Sequence, residues 1–222
     1  MPSLRTAHAP APAPVPASVH RPARPAPADE RGRLLDRFNA AVRAPAAHGG
    51  VACLPPFLDA LALAEGGAEP DGARWIVDSN ARLNAAAMMR RCFPDPEIHE
   101  VASEYGAAAY RRGWLRLDRT LPVQQHTHVV ETAETWVEED DRTLDQVLQT
   151  YGRPSVTFGD LDPCLPKTLG YASADHDIPL AVFHFAQAAD MPSARLLAFR
   201  AGEGPFGARM AFTPFGWTAG ED

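Results

Sequence analysis

Apolar residues in the first half of the chain recur every three or four positions, which places them on one face of an α-helix. Proline and glycine separate these stretches and mark their starts and stops. The pattern predicts about four successive helices, over residues 30–44, 55–65, 71–91 and 95–113.

The second half of the chain changes to the alternation that is typical of strands. The segments WLRLD (114–118) and VQQHTHVV (123–130) alternate in this way. From Ser155 onward, short apolar stretches are separated by turn residues, and this spacing favours an antiparallel meander. The five stretches are 155–159, 168–173, 178–187, 195–202 and 208–216.

One short helix is predicted before this meander, from Thr143 to Tyr151. Thr143 and Gln146 form a capping-box pattern, and Gly152 suits the left-handed position after the last turn. Helices first and strands later indicate an α+β fold. We therefore expect an N-terminal helical segment followed by a mainly antiparallel β-meander with one packed helix.

This order divides the chain into three regions. Residues 2–28 contain eight prolines and eight alanines and offer no hydrophobic face, so residues 1–28 are predicted to form a disordered arm. A helical region should cover residues 29–113, and a sheet region with the helix 143–151 should cover residues 114–222. Residues 29–222 are also compatible with one compact domain.

Charge and composition narrow the class of protein. Residues 1–28 carry three arginines and no acid, whereas the remaining chain has 18 basic and 28 acidic residues, a charge of −10. An acidic body argues against nonspecific nucleic-acid binding, which depends on neutralising phosphates. No apolar run is long enough to span a bilayer, and the three distant cysteines suggest thiols in a reducing compartment. We expect a cytoplasmic protein, and the preference for arginine, alanine and proline suggests a GC-rich bacterial genome.

Lys167 is the only lysine among 21 basic side chains. An ammonium group can lose its proton when buried, whereas a guanidinium group effectively cannot. Lys167 is therefore a candidate catalytic residue, as a Schiff-base nucleophile, a general base or a point charge for an anion. The alternative is a surface lysine on a proline-bounded loop, paired with Asp160 or Asp162.

Three histidines are candidates for a metal site or for acid–base chemistry. In a strand, His126 and His128 would lie on one face about 7 Å apart and could bind a divalent metal, with His184, Glu131 or Glu134 as further ligands. The alternative places both on the solvent side of a polar strand. His184 should share a strand face with Leu180 and Val182, opposite Ala181, Phe183 and Phe185. It is then either a hydrogen-bonded core residue or a general base.

Arginine and aromatic residues cluster in the segment YRRGWLRLDR. Arg111, Arg112, Trp114 and Arg116 form a candidate binding site for phosphate or bases. The alternative is a charge cluster balanced within the chain, with the acidic run 138–141 as its counterpart.

No catalytic motif stands out in the sequence, and no cofactor is implied. We expect a non-catalytic accessory module that binds a protein or peptide through a strand edge or a surface. The alternative is a small enzyme that uses His126, His128 and His184 with Lys167 nearby. The sequence predicts no membrane contact and argues against nucleic-acid binding, and it does not indicate the oligomeric state.

Overall fold

The computed structural model describes residues 28–66, 98–187, 191–202 and 209–219. Within these ranges, helices precede and follow a single sheet. The helices are α1 (Ala28–Arg43), α2 (Leu54–Ala64), α3 (Ile98–Arg111), α4 (Val123–Glu139), α5 (Leu144–Tyr151) and α6 (Pro214–Thr218). The strands are β1 (Val156–Gly159), β2 (Lys167–Tyr171), β3 (Ala181–Ala186), β4 (Arg195–Ala201) and β5 (Arg209–Phe212). Two short 3₁₀ turns, Pro45–His48 and Val51–Cys53, join α1 to α2.

The five strands form an antiparallel meander in the order β1-β2-β3-β4-β5. Their register aligns one row of residues across the whole sheet, Phe158, Thr168, His184, Ala198 and Phe212. Because side chains alternate along each strand, this row lies on one face of the sheet. The register shifts after His184, where the pairing of β3 with β4 is irregular.

Helices cover both faces of the sheet. On the first face, α1, α2 and α3 bury a cluster that includes Phe38, Leu58 and Phe158. Gly106 permits the close approach of α3 to β1, because a Cβ there would lie 2.5 Å from the Phe158 ring. On the second face, α4 and α5 pack against an aromatic cluster centred on Phe183.

The α+β class and the antiparallel meander are confirmed, and each of the five predicted stretches overlaps one strand, with β2 beginning one residue earlier than predicted. The helix α5 begins with the predicted capping box of Thr143 and Gln146, and Gly152 has a φ of 76°. Three of the four predicted N-terminal helices correspond to α1, α2 and α3. The predicted helix 71–91 and almost all of the predicted arm lie outside the described residues.

Two strand predictions are wrong. Residues 114–118 form no strand, and residues 123–130 belong to the 17-residue helix α4. The buried residues of α4 are His126, Val129, Ala133 and Val137. Their spacing of three and four residues is helical, and it places this row against the sheet.

Candidate functional site

The first candidate site is a layer of buried polar side chains between α3 and the first face of the sheet. We call it the polar layer. His99 lies in the first turn of α3, above Thr168 of β2, and His184 lies beside Thr168 on β3. His99 is 2% exposed and His184 is fully buried. The complete set is His99, Glu100, Ser103 and Glu104 from α3, with Thr168, His184 and Arg200 from the sheet.

A hydrogen-bonded chain runs through this layer. The Nδ1 atom of His99 and the Nδ1 atom of His184 each lie 2.9 Å from Oγ1 of Thr168. The hydroxyl has a single proton, so it donates to one imidazole and accepts from the other when both rings are neutral. The two histidines therefore hold opposite tautomers, and the Nε2 atom of one is a donor while that of the other is an acceptor.

Burial keeps both imidazoles neutral. It lowers the pKa of His99 to about 3, and the nearby Lys167 ammonium acts in the same direction. Burial also lowers the pKa of His184 well below its ordinary value, with contributions from Arg200 and His99. A neutral imidazole accepts or donates hydrogen bonds without adding charge to the layer.

Arg200 supplies the positive charge at the far side of the polar layer. It lies on β4 opposite Val182 and Met210, and its Nη2 atom is 2.6 Å from Oε1 of Glu104 on α3. Arg200 is only 6% exposed. The side chain of Glu104 is 30% exposed, so this ion pair meets solvent on the helix side.

The alternative of a surface lysine on a loop is wrong, because Lys167 is buried. It is the first residue of β2 and only 2% exposed. Its Nζ atom donates to the backbone carbonyl of Asp160 at 2.7 Å and to that of Asp162. Burial lowers its pKa, and the charges of Asp160 and Asp162 oppose this effect. The ammonium thus ties the β1–β2 loop to the sheet, and its catalytic role stays a prediction.

The geometry expected for a metal site at His126 and His128 is absent, because the two residues lie on a helix. Successive residues of a helix are rotated by about 100°, so residues two apart point to nearly opposite sides. His126 is buried against the sheet, where burial lowers its pKa, whereas His128 is exposed. In the parts of the chain that the structure describes, no group of three or more histidine, cysteine, aspartate or glutamate residues could hold a metal ion.

The predicted arginine–aromatic site stays a prediction, and its four residues have different surroundings. Trp114 is 1% exposed, and its Nε1 donates to Oε1 of Glu65 at 2.8 Å. The guanidinium of Arg112 lies 5.3 Å from the Trp114 ring, whereas Arg116 pairs with Asp36 of α1. Arg111 is exposed at the end of α3.

The predicted acidic counterpart of this cluster, residues 138–141, has other partners. Glu139 and Asp140 pair with Arg142, and Asp141 pairs with Arg195. Three of the four acids of this run therefore pair with two arginines, one between α4 and α5 and one at the start of β4.

The second candidate site lies at the edge of the sheet and consists of Met210, Phe212, Phe215 and Trp217; we call it the aromatic surface. Phe212 is buried, Met210 and Phe215 are half-buried, and Trp217 is exposed. Trp217 is 63% exposed, and its ring centroid lies 4.8 Å from that of Phe212. The surface lies on β5 and on the short helix α6.

Three contacts fix α6 against the sheet. The Thr213 hydroxyl caps the helix by accepting from Gly216 and donates to the carbonyl of Leu196 at 2.7 Å. The carboxylate of Asp141 accepts from the backbone amide of Phe215 at 2.6 Å. Gly216 packs directly on β4, because a Cβ there would lie 2.1 Å from the Leu197 carbonyl oxygen.

Sequence reasoning missed most members of both sites. It singled out His184 and placed it on the correct strand face, but it did not find His99, Thr168 or Glu104. An arginine inside the apolar stretch RLLAFRA was a usable indication, because a buried arginine requires a partner. Thr213 followed by Pro214 likewise has the pattern of a helix start.

No known protein family, characterised protein or solved structure matches this chain significantly. The function must therefore be argued from the two sites themselves. Among the described residues, no helix has both the length and the apolar character needed to cross a membrane.

Proposed function

We propose that this protein is a non-catalytic binding module that contacts a protein or peptide through the aromatic surface. The observation that carries the proposal is the exposure of Trp217 on a helix that is fixed in place. Tryptophan is enriched at the centres of protein interfaces, where it buries a large area at a low entropic cost. A solvated tryptophan on a firmly anchored helix is suited to this role.

The rigidity of α6 supports the proposal. The contacts of Thr213, Asp141 and Gly216 hold the helix in one position before any partner arrives. A preorganised surface loses less conformational freedom on binding, so more of its contact energy appears as affinity.

The position of the surface supports a peptide partner in extended form. β5 is an edge strand with β4 as its neighbour, and an edge strand can pair with an added strand through its backbone. Arg209 is exposed at the start of β5. We therefore expect the partner segment to carry an apolar side chain for Trp217 and an acidic side chain near Arg209.

The alternative of a small enzyme receives less support from the geometry. His99 and His184 are at most 2% exposed, so a substrate in solution does not reach them in this conformation. The Lys167 ammonium is engaged by two backbone carbonyls. These groups have the surroundings of structural residues, whereas the aromatic surface is open to a partner. A cytoplasmic location fits this proposal and stays a prediction.

A random peptide library selected on the full-length chain tests the proposal. Enriched peptides would then be titrated by fluorescence polarisation against Trp217→Ser and Leu161→Ser. Leu161 is the matched control, because it is 82% exposed and lies in the β1–β2 loop rather than on β5 or α6. We expect Trp217→Ser to weaken binding about tenfold or more, as for an interface hot spot, and Leu161→Ser to leave it unchanged.

Two outcomes contradict the proposal. Either no peptide is enriched, or the enriched peptides bind the Trp217→Ser variant as tightly as the unchanged chain. Urea unfolding of both variants checks that neither substitution acts through loss of the fold.

A further inference from the structure

Arg200 is an unusual residue for the middle of a core strand. Its neighbours Phe199 and Ala201 are buried on the opposite face, and its own side chain points into the interface between the sheet and α3. The Nε and Nη2 atoms of Arg200 have no hydrogen-bond partner among the described residues, although Nη2 lies within ion-pair distance of Glu104. A buried donor without a partner is costly, and such groups are commonly satisfied by a ligand, an ion or an ordered water.

The ion pair with Glu104 uses only part of the guanidinium group. Glu104 contacts Nη2, whereas a carboxylate in the preferred bidentate arrangement contacts two adjacent nitrogens of the fork. Glu104 approaches from the half-exposed side of the layer, so it leaves Arg200 more readily than a buried partner would. A carboxylate that accepts from both Nε and Nη2 would satisfy the two donors that Glu104 leaves without a hydrogen bond.

The surroundings favour a carboxylate over a phosphate. Glu100 is 1% exposed and lies on the same helix as Glu104, and a carboxylate on this helix disfavours a dianion more strongly than a monoanion. The neutral imidazoles of His99 and His184 add no positive charge to compensate a second negative charge. The Nε2 atom of His99 is a further buried polar atom without a hydrogen-bond partner in the described chain.

We propose that Arg200 anchors a small monocarboxylate at the solvent-facing side of the polar layer, where Glu104 occupies the carboxylate position when the ligand is absent and where the ligand does not reach the two histidines. Ligand entry then exchanges the one-point contact of Glu104 for a two-point contact on Arg200, and the released Glu104 side chain turns to solvent. Arg200 is the cross-strand neighbour of Met210 of the aromatic surface, and carboxylate binding does not require a bound peptide.

The test measures thermal stability of the full-length chain against acetate and against inorganic phosphate, with chloride at the same ionic strength as the reference. A ligand that binds the folded state raises Tm with concentration. Glu104→Gln removes the competing carboxylate, so we expect the acetate affinity of this variant to rise about tenfold. Glu139→Gln is the matched control, because Glu139 also pairs with an arginine but is 63% exposed and far from the layer.

Arg200→Lys keeps the charge and removes the fork, and it is expected to abolish the acetate effect. If this variant does not fold, the Nε–Hε resonances of the arginines in Glu104→Gln give a second readout, and acetate is expected to shift one slowly exchanging signal. The proposal is overturned if acetate does not change the Tm of Glu104→Gln. An ordered water, and not a carboxylate, would then be the partner of the Arg200 guanidinium. The proposal is also overturned if phosphate stabilises the protein as strongly as acetate, or if Glu139→Gln gains the same affinity.

Discussion

Acidification from about pH 8 to about pH 5 is expected to destabilise the folded chain through His99. Burial holds the pKa of this histidine at about 3, against an ordinary value of 6.5. In this pH range the unfolded chain binds a proton at His99 and the folded chain does not. Stability rises with pH wherever the unfolded state binds more protons. The contribution of the neutral His99 to stability is therefore fully present above pH 6.5 and is lost as the pH falls toward 3.

The magnitude follows from the separation between the pH and the ordinary pKa of the imidazole. At about pH 5 the unfolded histidine gains about 2 kcal/mol from protonation, at 1.36 kcal/mol per pH unit below 6.5. The folded histidine gains almost nothing, because its pKa lies below that pH. His184 acts in the same direction, since its pKa is also lowered by burial.

Urea unfolding at both pH values measures the effect, and the variant His99→Asn isolates it. The asparagine amide can keep a hydrogen bond to Thr168 but does not titrate. We expect this variant to lose about 2 kcal/mol less than the unchanged chain between the two pH values. His128→Asn is the control, because it removes an exposed histidine by the same substitution. Equal losses in His99→Asn and in the unchanged chain would refute the assignment of acid sensitivity to His99.

Three further predictions concern local structure, and urea unfolding at neutral pH measures each of them. Gly216→Ala should cost about 2 kcal/mol or more, because the new Cβ would collide with the Leu197 carbonyl oxygen 2.1 Å away; an unchanged midpoint would contradict the close packing of α6. Lys167→Met should lower the free energy of unfolding by about 2–3 kcal/mol, because two loop carbonyls lose a charged donor. A loss no larger than that caused by a substitution at an exposed residue would contradict this structural role of Lys167. Thr143→Ala should cost about 1 kcal/mol through loss of the capping box with Gln146, and Thr135→Ala on the exposed side of α4 is its control.

The meander was predictable because each of its strands is a short apolar run bounded by turn residues. The helix α4 was not predicted, because the local pattern of residues 123–130 fits a period of two as well as a helix over so few positions. The helical spacing becomes clear only when the segment is extended to Ala133 and Val137, which continue the row begun by His126 and Val129.

The polar layer was harder to predict, because its contacts join distant parts of the chain. His99 and Thr168 are 69 residues apart, and their contact depends on how α3 crosses the sheet. The strand alternation correctly oriented His184 but gave no information on the register that places it beside Thr168. Helix packing and strand register are tertiary properties that residue spacing does not specify.

The contrast between the two sheet faces bears on why the polar layer exists. The second face is mostly covered by aromatic and aliphatic side chains and also buries His126 and Lys167, whereas the first face buries Arg200 with His99 and His184. Apolar residues of similar volume are often as stable as a buried ion pair, or more stable, so stability alone does not account for Arg200. The proposed role of Arg200 as a carboxylate anchor accounts for its presence. This role also connects the acetate-binding experiment with the acid-unfolding experiment. An acetate buffer at about pH 5 would bind the folded state and conceal part of the acid-induced loss. The acid experiment therefore requires a buffer without carboxylates, and added acetate should restore more stability in Glu104→Gln than in the unchanged chain.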